Sequence, residues 1–175
     1  MKKWEIFLYN NLSATDLLSL IEQLRSQSDS SSQEKNWIQT HLTDPQLAQL
    51  IPSLSIVALH ILSSLEKEDQ TGIDLANHLH VTRGGVTRAA KKLIANDLVQ
   101  SFKHEDDQKR IYYSLTPQGK EIAKIHDQMH HELNEKFKKF IKDNYSPADL
   151  NLIGKFLESI LIMENQIDTK KTESH

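Results

Sequence analysis

The sequence predicts a mainly α-helical fold with one small β-wing, and three observations carry that prediction. Apolar residues recur at helical spacing through most of the 175 residues. A Ser, Thr or Asp at a cap position, often with Pro beside it, precedes these runs. Residues 98–115 alone read as two short runs rich in β-branched and aromatic side chains around a charged turn.

The elements follow in order. Leu12, Leu17, Leu18, Leu20, Ile21 and Leu24 predict a first helix ending near Arg25. Residues 26–33 (SQSDSSSQ) form a polar, serine-rich loop with nothing to bury. A short helical stretch lies around Trp37, Asp44-Pro45 starts another, and Pro52 breaks the chain again. Ser55 caps a helix to about Glu66, with Val57, Leu59, Ile61, Leu62 and Leu65 inward. Thr71 caps the next, and Asp74 three residues later completes a capping box. Its apolar face is Leu75, Ala76 and Leu79. After a turn at His80-Val81, Thr82 caps a helix to Asn96, with Val86, Ala89, Ala90, Leu93 and Ile94 inward. Strands at 98–104 and 110–115 flank a loop at 105–109. Thr116 caps and Pro117 opens a long helix to about Lys142. Ser146-Pro147 opens the last helix, in which Leu150, Ile153, Leu157, Ile160 and Leu161 form a stripe. Residues 168–175 are polar and expected as a disordered tail. The chain therefore divides into N-terminal helices and loop (1–54), three helices followed by a hairpin (55–116), C-terminal helices (117–167) and that tail.

Composition bounds the chemistry. Hydrophobic content of 38% with 26% charged residues is that of a soluble globular protein. No run approaches the roughly 18 apolar residues of a membrane span. The basic start at Lys2-Lys3 is interrupted by Glu5 and Asn10-Asn11 before a signal-peptide core forms, so the expected location is the cytoplasm. The chain has no cysteine, which excludes disulfides, thiolate zinc sites and thiol redox sensing. A net charge of −3 argues against a protein that coats nucleic acid indiscriminately. Its distribution is uneven: residues 82–110 carry seven Lys or Arg (83, 88, 91, 92, 103, 109, 110) against four acids (97, 105, 106, 107). A basic island on an acidic body suits a site-specific DNA reader, although solvated helix faces also reach such a balance.

Two short helices with a tight turn, followed by a hairpin, make a winged helix-turn-helix. On the second helix Arg83, Thr87 and Lys91 share one face by their i, i+4 spacing, with Gly84 and Arg88 beside them. A helix in the major groove needs short polar or basic residues near its N-terminus to reach base edges. Gly84-Gly85 costs about 1 kcal/mol each relative to Ala inside a helix, and close approach of the backbone to DNA is one reason to tolerate that. Lys109 and Arg110 sit at the wing, and Thr82 and Lys92 are placed to contact phosphates. Double-stranded DNA is the expected partner, at a pseudo-palindrome with half-sites roughly 34–36 Å apart if the protein is dimeric.

The stretch from Asp74-Leu75-Ala76 through Thr82-Arg83-Gly84-Gly85-Val86-Thr87-Arg88 resembles the helix-turn-helix of the MarR family of transcription regulators. Asp106-Asp107-Gln108-Lys109-Arg110 and Leu115-Thr116-Pro117-Gln118-Gly119 resemble that family's wing tip and following helix start. The likeness covers roughly residues 55–142. One departure is that the family's Asp-x-Arg reads Asp107-Gln108-Lys109, with Arg110 one place later; Lys is a point charge without Arg's planar fork. The resemblance implies a homodimeric repressor held by its N- and C-terminal helices, where the stripes at Leu17 to Leu24 and Leu150 to Leu161 lie; each stripe could equally be internal core.

MarR-type regulators respond to phenolic ligands, oxidants or metals. His126 and His130 stand i, i+4 on the long helix, so both imidazoles leave one face and can supply two zinc ligands. Nine histidines in one chain also produce such a pair by accident, as surface groups of a polar helix. His60, His126 and His130 fall at the register of three zinc ligands in the family's zinc-sensing branch, so the resemblance implies zinc as cofactor. Its acidic ligand comes from before the second helix; here that region is longer, and His41, Asp44 or Glu34 could serve, with His41 preferred. A second site of that branch uses a cysteine, and its positions here include Leu59 and Ile125, so one site is expected. His78, His80, His104 and His131 read as ordinary surface or core histidines. Two other readings compete. A small organic effector could bind the same fold, and His126-Asp127-Gln128-Met129-His130 approximates the zinc peptidase H-E-x-x-H helix, with Asp one methylene short of an effective base.

Overall fold

The structure, a computed structural model, describes residues 12–26 and 30–172. The N-terminal segment read for targeting (1–11), part of the serine-rich loop (27–29) and the last three residues lie outside them. Helix α1 spans Ala14–Ser26, α2 Ser30–His41, α3 Pro45–Leu50, α4 Ile56–Leu65, α5 Gly72–His78, α6 Arg83–Ala95, α7 Pro117–Asn144 and α8 Pro147–Thr172. Strands β1 (Gln70–Thr71), β2 (Val99–His104) and β3 (Asp107–Leu115) form one antiparallel sheet in the order β1-β3-β2. The chain divides into two compact units after Met129.

In the first unit the predicted caps act as predicted. Asp44 accepts from the Gln46 amide at 2.7 Å, and Ser55 from the Ala58 amide at 3.1 Å. Thr71 and Asp74 complete their capping box, with Thr71 Oγ1 donating to Asp74 at 2.6 Å. His80 turns the chain between α5 and α6 at φ 52°, in the left-handed region that His tolerates better than most residues. The Val81 amide then donates to Ala76 O at 3.0 Å, which closes the helix-turn-helix. Thr116 Oγ1 donates to Asp97 O at 2.7 Å and accepts from the Gly119 amide at 3.1 Å, so α7 starts pinned to the root of the wing. A Cβ on Gly119 would lie 1.9 Å from Leu98 O; only glycine lets the helix approach that closely.

The core is one cluster. Ile38 of α2, Leu47 of α3 and Ile51 and Leu54 of the following turn pack with Leu59, Ile61 and Leu62 of α4. Leu75, Val86, Leu93, Leu98 and Leu115 extend it under α5 and α6, and Ile122 and Ala123 of α7 close it. Burying a residue such as Leu62 contributes about 1.5–3 kcal/mol.

Several expectations are corrected. Helix α2 begins at Ser30, inside the expected loop, because Ile38 and half-buried Trp37 give it a face to bury and serines are acceptable at a helix start. Ile94 is exposed: the buried stripe runs through Val86, Ala89, Ala90 and Leu93, and Ile94 falls beside it. The wing loop is only Glu105-Asp106, since His104 pairs with Asp107. Strand β1 was not expected; two residues carry no alternation to read. It pairs Gln70 with Tyr113, and the buried Gln70 amide donates to Ser64 O at 2.8 Å. In the second unit α8 runs to Thr172, five residues into the expected tail, with no proline after Pro147 to stop it.

Candidate metal centre and nucleic-acid interface

Three elements of the first unit bring donors together. Glu34 comes from the middle of α2, His60 from α4 and His126 from α7. Glu34 Oε1 lies 3.0 Å from His126 Nε2 and 3.8 Å from His60 Nε2. The His60 and His126 rings meet edge to face at 5.4 Å. His130 lies one turn beyond His126 on the same unbroken helix, and a ligand atom from each of the four residues falls within 4.8 Å of the others. Zinc bonds of about 2.0–2.1 Å imply tetrahedral edges of about 3.4 Å, which the two Glu34 separations bracket. Three imidazoles and one carboxylate are a set zinc accepts. The donors therefore fit.

The surroundings of His126 are built as well. Its side chain is 2% exposed, so both ring nitrogens need partners. Nε2 faces Glu34, and Nδ1 lies 3.3 Å from Asp127 Oδ1. The Ser63 hydroxyl of α4 donates to that same oxygen. Glu66, one turn further along the chain, has its carboxyl pushed up by burial and then by the Asp127 carboxylate.

The structure brings His60, His126 and His130 together and adds Glu34, not His41. His41 is exposed; its ring stacks on Trp37 at 3.7 Å, with Nδ1 2.8 Å from Trp37 O. The Asp44 carboxylate caps α3. Asp127 and Ser63 were not singled out as parts of a centre, although the Asp of H-D-x-x-H was visible. That Asp faces Nδ1, away from the atom that meets Glu34, so it is not aimed at a metal-bound water as a peptidase base would be.

The second surface lies on α6. Arg83, Gly84, Thr87, Arg88, Lys91 and Lys92 are all exposed, opposite the buried stripe. Thr82 is exposed, and its Oγ1 accepts from the Gly85 amide at 3.1 Å. Thr87 Oγ1 donates to Arg83 O at 2.9 Å, which leaves its oxygen to act as an acceptor. A Cβ on Gly84 would meet nothing within 4 Å, so no contact within the first unit requires glycine there.

At the wing the departure from Asp-x-Arg has a structural resolution. Arg110, not Lys109, pairs through Nε with Asp107 Oδ2, and the backbone amides of both Lys109 and Arg110 donate to Oδ1 at 3.2 and 3.1 Å. The Arg110 guanidinium holds the Asp107 carboxyl below the usual range and is itself raised in return. Its Cζ lies 5.7 Å from the Tyr112 ring centre. Lys109 is exposed beside this anchored pair.

Among the described residues no helix is long and apolar enough to cross a membrane. The MarR family model matches residues 54–111. The transcriptional regulator ZitR of Lactococcus lactis is 31% identical over 105 residues, 60% of this chain and 71% of that protein. The transcriptional regulator AdcR of Streptococcus pyogenes is 31% identical over 98 residues, 56% of this chain and 66% of that one. The chain thus spans about two thirds of the length of the curated relatives it matches. Among solved structures, AdcR from Streptococcus pyogenes superposes with a TM-score of 0.58 at 29% identity, covering 62% of this chain and 80% of that one. Lactococcus lactis ZitR, described as a zinc-responsive MarR family member, gives 0.56 at 31% identity, covering 63% and 76%. ZitR in complex with DNA gives 0.58 at 25% identity, covering 63% and 75%. These relatives are transcription regulators, not enzymes, which removes the peptidase reading.

Proposed function

The chain belongs to the MarR family, and from that premise we propose that it is a cytoplasmic, zinc-responsive DNA-binding repressor acting as a homodimer. The observation that carries the zinc reading is the convergence of Glu34, His60, His126 and His130. Glu34, His60, His126 and His130 would hold the ion. When bound, zinc would add a direct tie among α2, α4 and α7, which already share one core. His60 then fixes α4 to α7 through His126, and Glu34 fixes α2 to both. Leu59 and Leu62 of α4 lie in one core cluster with Val86 and Leu93 of α6, so α6 follows the position α4 takes. Thr82, Arg83, Gly84, Thr87, Arg88, Lys91 and Lys92 form the major-groove and phosphate-contacting face, with Lys109 and Arg110 at the wing.

Metal is a co-repressor on this reading, and linkage makes DNA tighten zinc binding by the same factor that zinc tightens DNA binding, typically worth about 1–3 kcal/mol. Zinc-uptake genes are the targets this implies. The decisive experiment selects duplexes from a random library with the protein in zinc and again in excess chelator. Enrichment of a pseudo-palindrome in zinc alone is expected. Equal enrichment in both would overturn zinc control and favour an organic effector in the same fold.

A further inference from the structure

We propose that Asp127, anchored by Ser63, is a positioning residue that fixes the tautomer of His126 and aims its Nε2 at the metal centre; this rests on the zinc reading above. A neutral imidazole carries one N–H, and only the other nitrogen has the lone pair a metal needs. Which nitrogen carries the proton is set by the partner each one meets. His126 Nδ1 lies 3.3 Å from Asp127 Oδ1, and an ionised carboxylate only accepts. Nε2 points the opposite way, to Glu34 Oε1 at 3.0 Å.

Both nitrogens thus face carboxylates, but the two carboxylates differ. Glu34 belongs to the group whose donor atoms converge, and Asp127 does not. With the single N–H on Nδ1, held by Asp127 Oδ1, it is the Nε2 lone pair that faces the converging group to which Glu34 belongs. The Ser63 hydroxyl holds that oxygen from α4, the helix that also carries His60 three residues earlier. One helix therefore supplies a ligand and the anchor for the group that orients another. A carboxylate behind a ligating imidazole fixes the ring and makes its free nitrogen more basic, and losing it typically costs about 10–100-fold in metal affinity.

The test measures zinc affinity by chelator competition for wild type, Asp127→Ala, Asp127→Asn and Ser63→Ala, with thermal unfolding of each metal-free protein. Nitrogen-15 imidazole spectra of the zinc-loaded forms read the tautomer. Asp127→Ala should bind zinc about 10–100-fold more weakly and lose a slowly exchanging Nδ1 proton. Asp127→Asn keeps an acceptor oxygen, so it should retain the tautomer and most of the affinity. Tight binding by wild type with undiminished affinity in Asp127→Ala would overturn the proposal, and a shift in melting temperature alone would reduce Asp127 to a link between helices. Weak binding by wild type itself would instead overturn the zinc reading.

Discussion

Glu34 and His41 stand seven residues apart on α2 and therefore on nearly the same face, separated by about 10 Å of helical rise. Periodicity cannot choose between them. Height along the helix decides, and that is set by the loops and by Trp37, on whose ring His41 stacks. The three histidines were legible because their proposed role rests on the i, i+4 spacing of His126 and His130 on one helix and on the register of His60 in a familiar motif. Ser63 and Asp127 were not, since a hydroxyl on one helix meeting a carboxylate on another leaves no spacing to find. Gly84 makes a separate prediction at this scale. With nothing near its missing Cβ, Gly84→Ala should raise stability by up to about 1 kcal/mol in denaturant unfolding. The same change should weaken DNA binding in a filter or anisotropy assay, because the methyl would stand where the backbone meets the groove. Higher stability with unchanged DNA binding would show that the groove does not approach Gly84.

Three helices begin with the same device. Ser13 with Asp16, Thr71 with Asp74 and Ser146 with Asp149 each make a reciprocal cap, in which the hydroxyl donates to the carboxylate at 2.7, 2.6 and 2.6 Å. Only the middle box was read in full from the sequence, although all three share the S/T-x-x-D spacing. Hydrogen bonds from Ser13 and Ser146 hold the Asp16 and Asp149 carboxyls below the ordinary aspartate value of 3.8. A depressed carboxylate stabilises the folded state fully above its unfolded pKa and loses that contribution as pH falls through the folded value. Acid titration by circular dichroism should therefore show the start of α8 retained to lower pH in wild type than in Ser146→Ala. Identical acid midpoints would show that the Ser146 cap does not hold the start of α8. Caps and long amphipathic stretches were legible at this scale, whereas β1 was not. Its two residues form a strand only because Tyr112 and Tyr113 lie alongside.

At the scale of the whole molecule, the apolar stripes expected to hold a dimer are not covered within the units that carry them. In the first unit Leu18 and Leu24 of α1 are exposed, the latter by 74%. In the second unit Leu157 and Leu161, i, i+4 on one face of α8, are exposed by 53% and 61%. Contiguous apolar surface of this kind marks an interaction face. A double substitution, Leu157→Glu with Leu161→Glu, should convert a dimer in sedimentation to monomers and abolish binding to a two-half-site duplex. Wild-type protein that sediments as a monomer at micromolar concentration would refute the dimer. The sequence exposed these stripes but could not say whether they met each other inside one chain, because that depends on where the long helices end.

Zinc competition against a chromophoric chelator reads the metal centre itself. Metal-free wild type, His126→Ala/His130→Ala, Glu34→Gln and His41→Ala would be titrated side by side. Wild type and His41→Ala should strip zinc from the chelator at one equivalent per chain. The double variant should fail to do so, and Glu34→Gln should compete far less well. Equally weak competition by all four proteins would contradict the zinc centre, and a loss in His41→Ala with Glu34→Gln unaffected would contradict its ligand set.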